Sequence, residues 1–258
     1  MRPEATSPLK RARDLLADTV WSWLFPARCA GCGRFETFLC EECRAQLTPV
    51  GPQQCPRCGN PGVGWTSPAW CPVCVGHEVS FVRARSAFLY EGVARRLVTA
   101  FKFQGKRALA PLMAELSGAA FADLSAQVGA AIVTWVPSHR STERARGYNQ
   151  AEVLARRLAK QAGGLQVAPL VKKVAQTRHQ QALSRDGRQI NLRGAFRPVT
   201  GGAGLGNTSA EGVIVVDDVY TTGATANEVA AAAARSTGLP VSVFTFCRTV
   251  AAHRDATD

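Results

Sequence analysis

The sequence predicts an α/β protein whose parallel sheet is preceded by a cysteine-rich segment of little regular structure. Three observations carry this reading. Residues 213–225, VIVVDDVYTTGAT, begin with the apolar run Val213 to Val216, which suits a central strand covered on both faces. They end in a hydroxyl-rich turn that opens a helix from about Ala224 to Arg235. A second apolar run, AAIVTWVP at 130–137, leads through a basic loop into a helical stretch. Eight of the nine cysteines form four Cys-x-x-Cys pairs between Cys29 and Cys74, among prolines and glycines that interrupt regular structure.

Along the chain, residues 1–25 are basic with an apolar patch, contain Asp14 and Asp18, and lack a small-residue cleavage site. They read as an amphipathic helix rather than a signal peptide. No run approaches the ~18 apolar residues of a membrane span, so a cytoplasmic location is expected. Residues 26–78 hold the pairs 29/32, 40/43, 55/58 and 71/74, with 7, 11 and 12 residues between successive pairs. Each pair offers two thiolates from one tight turn, and two such knuckles complete a tetrahedron around zinc. Without a secretory signal, disulfides are the weaker alternative. Two structural Zn²⁺ ions are expected. Chain order suggests Cys29, Cys32, Cys40 and Cys43 for one and Cys55, Cys58, Cys71 and Cys74 for the other, with interleaved pairing still open. His77 reads as a surface residue, since eight cysteines already fill two sites.

Residues 79–250 carry the α/β pattern. SFVRARSAFLY alternates like a strand, and GVARRLVTAFKF and LAPLMAELSGAAFADL have helical spacing, with Lys102 and Lys106 flanking Gly105 between them. The loop SHRSTERARGYNQ follows the second strand, and AEVLARRLAKQAG is a helix stopped by Gly163 and Gly164. VSVFTFC is a last strand with Cys247 in the core, and 251–258 is a tail. The formal charge is +12, and residues 130–197 supply thirteen Lys/Arg against three acidic residues. Such a basic half suits a ligand with several phosphates or a nucleic-acid backbone.

Asp217 and Asp218 fall at the carboxyl end of their strand, the edge where open α/β sheets place ligands. The turn after them offers hydroxyls, the amides of a helix start and Gly223 for close backbone approach, all suited to a phosphate. An acidic pair before a turn also serves as a helix cap. The thirteen-residue string resembles the 5-phosphoribosyl-1-pyrophosphate (PRPP) motif of type I phosphoribosyltransferases. That resemblance implies that Asp217 and Asp218 hold the ribose hydroxyls, and that Thr221, Thr222, Gly223, Ala224 and Thr225 cradle the 5-phosphate. The four cysteine pairs, VP followed by Arg144, Arg146 and RGYNQ, the stretch QTRHQQALSRDGRQINLRGAF and the PRPP motif together resemble the ComF/GntX family. Its members join a double zinc ribbon to a phosphoribosyltransferase domain, and the likeness runs from about Cys29 to Cys247.

By that likeness Pro137, Ser138, His139 and Arg140 form the pyrophosphate loop, with Arg144 and Arg146 as further ligands. A second basic loop from Lys173 to Arg188, holding Arg178, His179 and Arg185, closes over the reaction centre. The reaction implied is displacement of pyrophosphate from PRPP with Mg²⁺, by an acceptor the sequence does not name. Thr221 stands where purine-salvage relatives carry an aspartate, which disfavours a purine acceptor. The alternative implied by the family is an accessory role in DNA uptake, through single-stranded DNA or a DNA-processing partner, with PRPP as regulator. Oligomeric state is not legible.

Overall fold

In the computed structural model, described residues are 27–62, 71–75, 77–103, 107–129, 131–174, 192, 194–199 and 209–250. The expected N-terminal helix, the residues Arg178, His179 and Arg185, and the tail lie outside them. The chain divides into two compact units, Met1–Gln46 and Leu47–Asp258. Among its described residues, the first unit contains one cysteine tetrad and one helical turn, α1 (Glu41–Arg44). The second unit contains the other tetrad and the α/β domain.

The domain is a five-stranded, all-parallel sheet of order β1-β7-β6-β2-β3, from β1 (Arg83–Leu89), β2 (Ala131–Trp135), β3 (Gln166–Val167), β6 (Gly212–Tyr220) and β7 (Val241–Arg248). Its central strands are as apolar as their sequences predict: Val213 to Val216 and Val243 to Cys247 are buried. The helices are α2 (Gly92–Phe103), α3 (Leu109–Val128), α4 (Arg140–Arg146), α5 (Gln150–Gln161) and α6 (Ala224–Thr237). Phe121 of α3 packs edge-on against Phe244 of β7, ring centroids 5.2 Å apart. On the other side, Val229, Ala230 and Ala233 of α6 share a buried cluster with Val213, Val215, Val241 and Val243. A separate antiparallel ribbon pairs β4 (Val171–Lys173) with β5 (Phe196–Pro198). The stretch Thr48–Val50 runs along the outer edge of β1, where the Leu89 amide donates to Thr48 O and the Val50 amide to Ala87 O, both at 2.9 Å.

Two local expectations change. The strand expected to end at the acidic pair runs on to Tyr220, because its pairing with β7 continues through Asp217↔Thr245 and Tyr220↔Arg248. The basic loop 138–150 holds a helix, α4. His139 caps it by accepting from the Ser141 amide at 3.3 Å, and Gly147, with φ 79°, ends it in the left-handed region.

Candidate functional site

Register brings Asp217, Asp218 and the segments that follow β2 and β6 to one edge. Trp135 of β2 pairs with Val216 of β6, and the Val136 amide donates to Val216 O at 3.0 Å, so Pro137 to Arg140 start beside Asp217. Thr221 to Gly223 follow from the end of β6, and Ala224 begins α6. The amides of a helix's first turn have no carbonyl within the helix to receive them. The Ala224 amide meets Thr222 Oγ1 at 3.4 Å. Gly223 has φ +81°, and a Cβ there would collide with the Tyr220 hydroxyl, so both backbone and space require glycine.

Successive strand residues face opposite sides, which gives Asp217 and Asp218 different surroundings. Asp218, buried, forms an ion pair with Lys102 of α2, Nζ to Oδ1 2.9 Å. Desolvation of the Asp217 carboxyl, followed by the Asp218 charge, pushes its pKa up to about 7. Lys102, the Asp218 amide and Lys173 of β4 pull the other way. The Asp218 amide donates to Asp217 Oδ1 at 2.8 Å. Burial works to lower the Lys102 pKa, yet the Asp218 and Asp217 charges and the hydrogen bond to Asp218 outweigh it and leave the value raised.

Lys102 is placed by a chain of contacts that the sequence did not reveal. The Tyr148 hydroxyl donates to Phe101 O at 2.8 Å, and the two rings lie 5.9 Å apart. Next to it, Asn149 is buried, caps α5 through the Glu152 amide at 3.2 Å, and donates to Val136 O at 3.2 Å. The RGYNQ segment thus fixes the end of β2 and the last turn of α2 together. Arg146 holds Gln150 Oε1 at 3.2 Å, while Arg140 and Arg144 are exposed. Of the predicted pyrophosphate-loop residues, His139 is the helix cap.

Beside this edge lies a cleft of about 730 Å³ whose lining includes Arg107, Tyr148, Glu152, Arg156 and Arg157. Arg156 forms an ion pair with Glu152 at 2.9 Å and stands 5.4 Å from the Trp135 ring centre.

The cysteines gather as two consecutive tetrads, Cys29, Cys32, Cys40 and Cys43, and Cys55, Cys58, Cys71 and Cys74, with all sulfurs in each within 4.8 Å of one another. A tetrahedral site with zinc–sulfur bonds of ~2.3 Å has edges of about 3.8 Å. Cys29–Cys40 and Cys32–Cys40 at 3.7 Å and Cys58–Cys71 at 3.5 Å match that edge. The Cys40 amide donates to Cys29 Sγ and the Cys71 amide to Cys55 Sγ, both at 3.4 Å, as knuckle amides do toward a thiolate. The Cys74 thiol, more than any other influence, draws Cys58 down to about 5, while burial pushes Cys71 up to about 12. Four sulfurs so placed ionise together only around a cation, and both tetrads fit structural zinc. His77 is outside them; its carbonyl accepts from Arg57 Nη1 at 3.0 Å. Cys247 is buried in β7.

Among the described residues no helix is long and apolar enough to cross a membrane. Residues 20–75 match the double zinc ribbon domain model. DNA utilization protein YhgH of Salmonella typhimurium is 29% identical over 199 residues, 76% of this chain and 84% of that protein. Competence protein ComFC of Bacillus subtilis is 25% identical over 239 residues, 87% of this chain and 90% of that protein. Competence protein F of Haemophilus influenzae is 30% identical over 196 residues, covering 74% of this chain and 82% of that protein. With the tetrads and the parallel sheet in place, that likeness makes the chain a member of the ComF family.

Proposed function

We propose that the chain binds PRPP at the carboxyl edge of its sheet and transfers the phosphoribosyl group to an acceptor, releasing pyrophosphate. The observation that carries this reading is the Asp217–Asp218 pair set between the β2 loop and the start of α6, with Lys102 as its counter-charge. Asp218 and Asp217 offer acceptors to the 2′- and 3′-hydroxyls, and charge-assisted bonds of this kind contribute ~1.5–3 kcal/mol each. Thr221, Thr222 and the amides of Gly223 to Thr225 receive the 5-phosphate. The loop from Pro137 to Arg140, with Arg144 and Arg146, stands where the diphosphate leaves, and cationic side chains there stabilise the charge that develops. Arg178 and His179 are proposed to close over the centre from the segment between β4 and β5. Mg²⁺, carried in with PRPP, would neutralise the diphosphate, and the acidic pair supplies the oxygen donors such an ion takes. Reduced thiolate tetrads fit a cytoplasmic setting.

Calorimetry with Mg²⁺-PRPP tests the binding step. Asp217→Asn with Asp218→Asn is expected to weaken affinity at least tenfold while circular dichroism stays unchanged. Unaltered affinity would reduce the motif to a capped turn. Pyrophosphate release across nucleobases and amines then tests transfer.

The basic cleft favours a second reading, in which single-stranded DNA lies along Arg107, Arg156 and Arg157. Relatives named for competence and DNA utilization agree with it. Among the described residues lining the cleft only Tyr148 is aromatic, so phosphate contacts rather than base stacking would dominate. Displacement of single-stranded DNA by saturating Mg²⁺-PRPP is expected if the sites overlap. DNA binding insensitive to PRPP would assign the cleft an independent role.

A further inference from the structure

The two tetrads differ in what surrounds them. The second is built into the α/β core: Cys55, Cys58, Cys71 and Cys74 share a buried cluster with Phe81, Tyr220, Ala226 and Val229. Its first knuckle is hydrogen-bonded by the sheet residue by residue. Arg85 of β1 donates to Cys55 O at 3.4 Å and Pro56 O at 3.2 Å. The Ala84 amide donates to Arg57 O at 2.7 Å, and Arg248 Nη1 donates to Cys58 O. Gly59, at φ +70°, passes so close to Ala84 O and Arg248 that a side chain there would meet both.

Arg248 is the link onward. It ends β7, is 2% exposed, and also donates through Nη2 to Asn60 Oδ1 at 3.0 Å. Its guanidinium carbon stands 5.0 Å from the Tyr220 ring centre, and that ring is the surface over which Gly223 turns. The next residue, Thr249, donates from its amide to Tyr220 O at 3.0 Å and from its hydroxyl to Thr221 O at 3.4 Å. Phe81 packs edge-on against the same tyrosine at 6.4 Å, and the Ser80 amide donates to Asn227 Oδ1 of α6 at 2.7 Å. A buried guanidinium needs acceptors and opposite charge, and a four-thiolate zinc site is a dianion with outward carbonyls. The ribbon and the Tyr220 ring beneath the Gly223 turn therefore share one guanidinium.

We propose that Arg248 is a positioning residue that ties the second tetrad to the phosphate loop, so that zinc at Cys55, Cys58, Cys71 and Cys74 orders Thr221–Thr225. Zinc at the first tetrad does not. The use of that order for holding a phosphate ester rests on the PRPP reading; the order itself does not. Without zinc the knuckle carbonyls lose their fixed directions, the guanidinium loses its two acceptors on the ribbon, and the tyrosine that shapes the Gly223 turn loses part of its support.

The test uses the full chain with two readouts, amide hydrogen exchange of residues 221–225 without ligand and affinity for ribose 5-phosphate. Arg248→Lys keeps the charge but cannot span both acceptors. It is expected to keep zinc, raise exchange in the loop at least tenfold relative to β2 and β6, and weaken ribose 5-phosphate at least tenfold. Asn60→Ala, which removes one acceptor only, is expected to act in the same direction and covers the case in which Arg248→Lys fails to fold. Cys29→Ser with Cys32→Ser is expected to lose one zinc and alter neither readout by more than twofold. Chelating the remaining zinc from that variant is expected to reproduce Arg248→Lys. Loop exchange unchanged by both Arg248→Lys and Asn60→Ala overturns the proposal, as does exchange that rises uniformly through the sheet or opens equally when the first tetrad is lost. A wild type whose loop order depends on zinc but which binds no ribose 5-phosphate refutes the PRPP reading and supports the proposal.

Discussion

Lys102→Met keeps the length and apolar stem of the side chain and deletes its ammonium. In the folded chain that ammonium sits 2.9 Å from Asp218, the two side chains being 27% and 9% exposed. Two unit charges about 4 Å apart attract by about 4 kcal/mol at an effective dielectric of about 20, and desolvation returns much of that. The loss should appear chiefly as proton uptake. With Asp217 already at about 7, removing the cation leaves two neighbouring carboxylates without it, and one keeps its proton. An opposite charge at contact moves a carboxyl by roughly 1–3 units; Lys102 acts on Asp217 through its neighbour, so about one unit, or about 1.4 kcal/mol, is expected.

Carbon-13 NMR of labelled aspartate carboxyls reads this directly, and Mg²⁺-PRPP affinity against pH reads its consequence. Because the ligand needs the ionised pair, wild-type affinity should rise with pH and level off above about 7. The variant's midpoint should lie about one unit higher, with affinity near neutrality about tenfold weaker, and Lys102→Arg should restore most of both. Stability follows the same sign. The Asp217 pKa is raised on folding, so its stabilising contribution is complete below the ordinary carboxylate value and is lost as pH rises toward about 7. Lys102→Met extends that loss, and its Tm deficit should be larger at about pH 8.5 than at about pH 5.5. A carboxyl midpoint that stays put in Lys102→Met would refute the reasoning.

Elemental analysis of protein purified without chelators should report two zinc ions per chain, and intact mass should show free thiols once zinc is removed; four disulfides in fresh protein would contradict this. Gly223→Ala places a side chain at a positive φ and against Tyr220, costing about 1–2 kcal/mol, so Tm should fall by roughly 2–6 °C and PRPP affinity should fall with it. A variant with unchanged Tm and affinity would show that the turn relaxes freely. Arg156→Glu with Arg157→Glu should remove most single-stranded DNA binding and flatten its salt dependence while PRPP affinity changes less than twofold; equal loss of both would merge the two sites.

The four long strands β1, β2, β6 and β7 and the long helices were legible because apolar runs and helical spacing report burial directly, whereas the short β4–β5 ribbon carried no such run. VIVV and VSVFTF are buried as their composition requires, and the cysteine order suggested consecutive tetrads but left interleaved pairing open until the geometry selected the consecutive sets. Strand length was less legible: two aspartates end an apolar pattern, yet backbone pairing with β7 carries β6 through them to Tyr220. Helix α4 was hidden because its residues are nearly all polar, and only the His139 cap and Gly147 stop mark it. The site's counter-charges were hidden for a different reason. Lys102 was visible beside a glycine, but its pairing with a residue over a hundred positions later depends on tertiary packing. Arg248 carried one signal, a charged residue closing an otherwise apolar strand.

The Thr48–Val50 strip along β1 bears on how this protein behaves when cut. An exposed, regular edge strand offers unpaired amides and carbonyls to any neighbouring chain and invites sheet-to-sheet aggregation. Here the neighbour's place is taken by three residues from the same chain, with Pro49 opposite Phe88 contributing no amide of its own. A truncation that starts at Leu47 keeps this cover. One that starts at Gly51 removes it, and should yield protein that self-associates with β1 at the junction, although not one catalytic or metal-binding residue differs between the two.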